Sequence, residues 1–187
     1  MQNDDKALLK YLKAKRVLQI GEKSVTSSIW GNSDKQHVIE IIKDIVEKWA
    51  ETECKAMNVE GSGKFIIFGS YMAGGHVGFD YDIDAICLVP KCIKAKPHFF
   101  ENLVAKLQNW WGVSHLLKID NARAPIIKFF LEGVSFDLSF ATLDQEKIDN
   151  FEDEEYSEET LKSLGNKTMV AISGYTTNKY ILSKVSC

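Results

Sequence analysis

Three acidic side chains and one turn hold most of the chemistry this sequence offers. Asp82-Ile83-Asp84 opens an apolar run that reads as a strand, and carboxylates two residues apart on a strand project from one face while Ile83 and Ala85 turn to the other. From Val134 to Phe140 apolar and polar residues alternate strictly, which sets Asp137 on the polar face of a second, half-buried strand where it can meet the other two. Three acids gathered without basic partners repel one another unless cations sit among them. All-oxygen donors of this kind suit Mg²⁺ or Mn²⁺, and a pair of such ions clamps the attacking and leaving oxygens in phosphoryl or nucleotidyl transfer. Phe68-Gly69-Ser70 ends another short apolar strand. A strand that stops at Gly-Ser and passes into a helical turn aims free backbone N–H groups and a hydroxyl at whatever lies ahead, which favours a phosphate. Each pattern alone is common in proteins, and Asp80, at the same parity as the pair, reads as part of the loop entering the strand.

The elements that must position these groups follow from periodicity. Asp4 and Asp5 can open a helix carrying Leu8, Leu9, Leu12 and Val17, and residues 20–33 read as a loop. Ser33 with Gln36 forms a capping-box pattern ahead of a long amphipathic helix bearing Val38, Ile41, Ile42, Ile45, Val46 and Trp49. Strands are expected at 64–68 and 82–89, separated by a loop with Gly74, Gly75 and Gly78, and a helix over 97–111 buries Phe99, Phe100, Leu103, Leu107 and Trp110. Three further strands fall at about 114–120, 126–131 and 134–140, the last two joined by Glu132-Gly133 as a tight hairpin, and 157–185 reads as short helices. The fold class is α+β: a small mixed sheet with flanking helices, drawn to one side of it.

The 187 residues are read as one domain, long enough to bury a core without disulfides or a structural metal. Cys54, Cys87, Cys92 and Cys187 show no spacing of a disulfide scaffold or zinc site, which points to a reducing, intracellular setting, nuclear or cytoplasmic. No apolar run approaches the roughly 18 residues of a membrane span, so no membrane partner is expected. The net charge of -3 conceals an acidic block, since residues 144–159 hold nine acids and one lysine while 160–187 hold four lysines and no acid. The sign of the total therefore does not exclude a nucleic-acid partner.

A Gly-Ser turn, eleven residues, Asp-x-Asp on a strand and a third Asp 53 residues beyond Asp84 resemble the polymerase-beta-like nucleotidyltransferase superfamily. The run FGSYMAGGHVGFDYDIDAICLVPKCI, then HFF, then APIIKFFLEGVSFDLSFATL resembles the catalytic palm of eukaryotic nuclear poly(A) polymerases, strongly over 64–143 and weakly again over Ala171–Thr177. Met72, Val77 and Ser173 depart from the family's residues. The resemblance implies that Asp82, Asp84 and Asp137 bind two Mg²⁺ or Mn²⁺ ions, and that Phe68, Gly69, Ser70 and Tyr71 form the nucleotide-binding turn. It implies transfer of AMP from ATP to an RNA 3′-hydroxyl with release of pyrophosphate. The family's central helical and RNA-binding domains are expected to lie outside this chain, so a protein partner could supply contacts to base and RNA. Alternatives are a regulatory module that binds metal and nucleotide without transfer, or a transferase preferring another nucleotide or acceptor. Lys128 either neutralises part of the carboxylate cluster or faces solvent, and His76 lies in the loop before it.

Overall fold

A computed structural model describes residues 32–72, 82–154 and 156–185. The helix expected over 4–17, most of the loop over 20–33, and the glycine-bearing loop with His76, Val77 and Asp80 lie outside the described residues.

Helix α1, Asn32–Ala56, leads to strand β1, Lys64–Phe68, and then to β2, Ile83–Pro90. A π-helical stretch, Ala95–Leu103, runs into the short α2, Val104–Gln108. Strands β3, Val113–Ile119, β4, Ile126–Leu131, and β5, Val134–Leu143, complete the sheet. Its order is β1-β2-β5-β4-β3, with β2 and β5 parallel at the centre and the other pairs antiparallel. Two short helices, α3 (Gln145–Asp149) and α4 (Glu158–Ser163), precede the 20-residue α5, Asn166–Val185.

Alternation along the strands divides the molecule into two cores. One face of the sheet sends Ile83, Ala85, Cys87, Ile127, Phe129, Phe136 and Leu138 into a cluster with α1 and the Phe99, Phe100 and Leu103 side chains. The opposite face sends Ile66, Ile86, Leu88, Ala141 and Leu143 against Ile148, Phe151, Ala171 and Ile172. Each fully buried Ile, Leu or Phe side chain here adds about 1.5–3 kcal/mol relative to exposure. The mixed sheet with flanking helices is as expected, but the helices cover both faces. Central strands buried on both sides read as nearly continuous apolar runs, which hides the second face from a periodicity argument.

Two further differences share that second core. The last strand extends three residues beyond Phe140 because Ala141 and Leu143 are buried there. Residues 166–185 form one helix rather than several. Gly174, Thr176 and Thr177 weaken its local helical preference, and burial of Ala171 and Ile172 overrides them. The acidic block contributes to α3 and α4: Ile148 and Phe151 are fully buried within it, and Ser157 caps α4 by accepting from the Thr160 N–H at 3.1 Å.

Candidate active site

The candidate groups assemble on the second face, at the end of the sheet where β2 begins. Strand pairing lines up one residue from every strand: Leu117 on β3, Lys128 on β4, Asp137 on β5, Asp84 on β2 and Phe68 on β1. Paired residues share a face, so this row brings Asp84 and Asp137 side by side and places the start of the Gly-Ser turn next to them. Asp82 stands exposed two residues earlier, before the first residue of β2. The register beneath is fixed by apolar contact. Phe129 and Phe136, partners one step along the β4–β5 hairpin, stack on the opposite face with centroids 5.3 Å apart. A slip of one residue would turn Asp137 into that core.

The electrostatics are those of crowded like charge. Burial pushes the Asp84 carboxyl above its ordinary value, the charges of Asp137 and Asp82 push it further, and Lys128 opposes them. The Nζ of Lys128 donates to Asp137 Oδ2. That bond holds the ammonium above its usual value against the opposing effect of burial, and the charges of Asp137, Asp82 and Asp84 add to it. Of the two sequence alternatives for Lys128, neutralisation is the one seen. Among the described residues, no three or more His, Cys, Asp and Glu side chains are gathered into a ready metal cage. The donors fit hard divalent cations by chemistry, being carboxylate oxygens whose mutual repulsion a cation would relieve.

The turn is built by two close approaches. Gly69 has φ +77°, and a Cβ there would lie 2.4 Å from Asp84 Oδ2, so only glycine lets the chain pass over that carboxylate. Gly174 of α5 stands against the Phe68 ring, where a Cβ would meet Cε2 at 2.8 Å. One helical turn later, Asn178 Nδ2 donates to the Gly69 carbonyl at 3.1 Å. Ser70 is exposed, and Tyr71 is partly buried against the first core. Asn178 was not singled out from sequence, where the late segment ends at Thr177. Its signal is the spacing, four residues after Gly174, which puts both on one helix face.

The chain matches known proteins over most of its length. The family model of the poly(A) polymerase nucleotidyltransferase domain covers residues 5–185. This chain belongs to that family. Nuclear poly(A) polymerase 1 of Arabidopsis thaliana is 30% identical over 158 residues, 81% of this chain. A poly(A) polymerase of Schizosaccharomyces pombe is 33% identical over 127 residues, 67% of this chain. This poly(A) polymerase nucleotidyltransferase domain spans 22% of the length of each relative. Among solved structures, the polymerase core of TRAMP, an RNA surveillance complex, aligns with TM-score 0.40 and 18% identity, covering 71% of this chain and 41% of that one. No helix among the described residues is long and apolar enough to cross a membrane.

Proposed function

We propose that this domain transfers AMP from ATP to the 3′-hydroxyl of RNA without a template. The observation that carries the reading is the row itself, in which Asp84 and Asp137 are register partners beside Phe68-Gly69-Ser70. Asp82, Asp84 and Asp137 would hold Mg²⁺ or Mn²⁺, which when bound stabilises the charge of the transferring phosphoryl group and eases ionisation of the hydroxyl. The turn at Gly69 and Ser70 grips the β- and γ-phosphates through backbone N–H groups and the Ser70 hydroxyl, and Tyr71 anchors its far end in the core. The RNA 3′-oxygen bonds to the α-phosphorus as the bond to pyrophosphate breaks, and Asp137 receives the hydroxyl proton. Little covalent work falls to the chain; its contribution is alignment and a fixed electrostatic environment. Contacts to the adenine and the RNA chain are assigned to a further domain or a protein partner, as the family resemblance implies. The nuclear poly(A) polymerase among the relatives supports a nuclear setting.

The test is incorporation of each of the four nucleotides onto an RNA 3′ end with Mg²⁺ or Mn²⁺. ATP is expected to be used best. Asp82→Ala and Asp137→Ala are expected to lose incorporation by several orders of magnitude with an unchanged circular dichroism spectrum. Retained activity in either variant would overturn the site, and preference for UTP would overturn the adenylate assignment.

A further inference from the structure

The row of register partners contains a cation of the protein's own. Lys128 stands opposite Asp137 across the β4–β5 pair, and its ammonium bonds Asp137 Oδ2. The two side chains are 41% and 18% exposed, so the pair lies at the mouth of the carboxylate cluster, with solvent open to the lysine and much less so to the aspartate. Asp84 meets Asp137 from the other side, on β2, and Asp82 completes the group of acids that Lys128 senses. One ammonium therefore screens the cluster, bonded to Asp137 and acting on Asp84 and Asp82 through charge. A lysine head is a compact, strongly hydrated charge on a four-carbon stem, and it can leave a carboxylate for water without moving the backbone.

We propose that Lys128 is a built-in counter-cation that occupies Asp137 in the metal-free protein and yields its place to a divalent ion. The inference rests on the metal reading given above. A divalent ion bound at Asp137 repels the ammonium on Oδ2 and competes with it for the charge of the carboxylate, so binding there works against the lysine contact. The lysine thereby lowers the affinity of the empty site for a lone ion while preventing the three acids from driving the strand ends apart. A metal arriving with the triphosphate brings its own anionic ligands and overcomes this competition; a metal alone does so poorly. The device couples metal loading to nucleotide.

The experiment is Mn²⁺ titration by electron paramagnetic resonance without nucleotide, using the full chain, Lys128→Met and Lys118→Met. Lys118 is the control, since its ammonium donates to the Phe100 carbonyl and its loss changes net charge equally. Lys128→Met is expected to bind Mn²⁺ about tenfold more tightly, the scale of one like charge removed at contact in a solvated site; Lys118→Met stays near wild type. Without metal, Lys128→Met melts below wild type, and saturating Mn²⁺ closes or reverses that gap. Unchanged or weaker Mn²⁺ binding in Lys128→Met, with binding intact in wild type, overturns the counter-cation alone. Equal loss of melting temperature with and without Mn²⁺ does the same. No Mn²⁺ binding in any of the proteins overturns the counter-cation and the metal reading together. Should Lys128→Met fail to fold, Lys128→Gln, which keeps a similar length and a donor, is read identically.

Discussion

Gly69 shows how narrowly single positions define this site. Its positive φ and the 2.4 Å approach to Asp84 make two separate demands that only a residue without Cβ meets. In Gly69→Ala the backbone is strained and the Asp84 carboxylate is pushed aside, so a loss of about 1–3 kcal/mol in urea unfolding is expected, with nucleotide incorporation reduced more than stability alone explains. Full activity with unchanged stability would contradict the geometry. The sequence already displayed Gly69 before Ser70 at a strand end, and the Asp-x-Asp pattern twelve residues on. Residue types and spacing are legible in a chain because local backbone geometry dictates them. That the glycine lies against Asp84 depends on β1 pairing antiparallel with β2, with Phe68 opposite Asp84.

At the scale of elements, α5 is the member that ties the second core to the turn. Ala171 and Ile172 anchor it on the sheet, Gly174 admits the Phe68 ring, and Asn178 reaches the Gly69 carbonyl. Asn178→Ala removes one hydrogen bond to a strained turn. The expected result is a rise in apparent KM for the nucleotide of up to about tenfold, the equivalent of a single hydrogen bond, with kcat changed much less. Asn178→Gln, which can still donate, should recover part of it. An equal fall in kcat and kcat/KM would show that the contact matters to the reaction itself and not to seating the phosphates. The helix was expected in pieces, because glycine and β-branched residues interrupt its helical preference; only burial against β5 and β1 makes it continuous. Four of the strands, by contrast, are legible to within a residue, and only β5 runs three residues past its expected end.

Across the whole molecule, charge decides more than the total of -3 suggests. The acidic block is partly folded into α3 and α4 and anchored by buried Ile148 and Phe151, and the aspartates of the candidate site are screened by Lys128. One acid is a pure cost. Glu132 forms the β4–β5 turn with Gly133, both at positive φ, and its Oε1 is buried with no hydrogen-bond partner. Burial raises its carboxyl above the ordinary 4.5, so folding opposes the charged form. The cost is absent below the unfolded value, grows as pH rises toward the raised folded value, and is constant above it. Glu132→Gln, which mimics the protonated side chain, is expected to be more stable than wild type by about 1 kcal/mol at neutral pH. The advantage should shrink as the pH falls toward 4. Urea unfolding at stepped pH checks this, and an advantage that grew on acidification would refute it.

The sequence by itself determined the chemistry on offer: three carboxylates on or beside strands, a Gly-Ser turn and the order of strands and helices, all properties of neighbours along the chain. The tertiary structure alone decided the meeting of Asp84 with Asp137, the ammonium of Lys128 between them and solvent, the hold of Asn178 on Gly69, and the second face of helices. Each of those depends on which strand lies beside which. Pairing across the sheet is set by burial on both faces at once and joins residues 53 positions apart, and the packing of α5 reaches 109, separations over which no local pattern carries information.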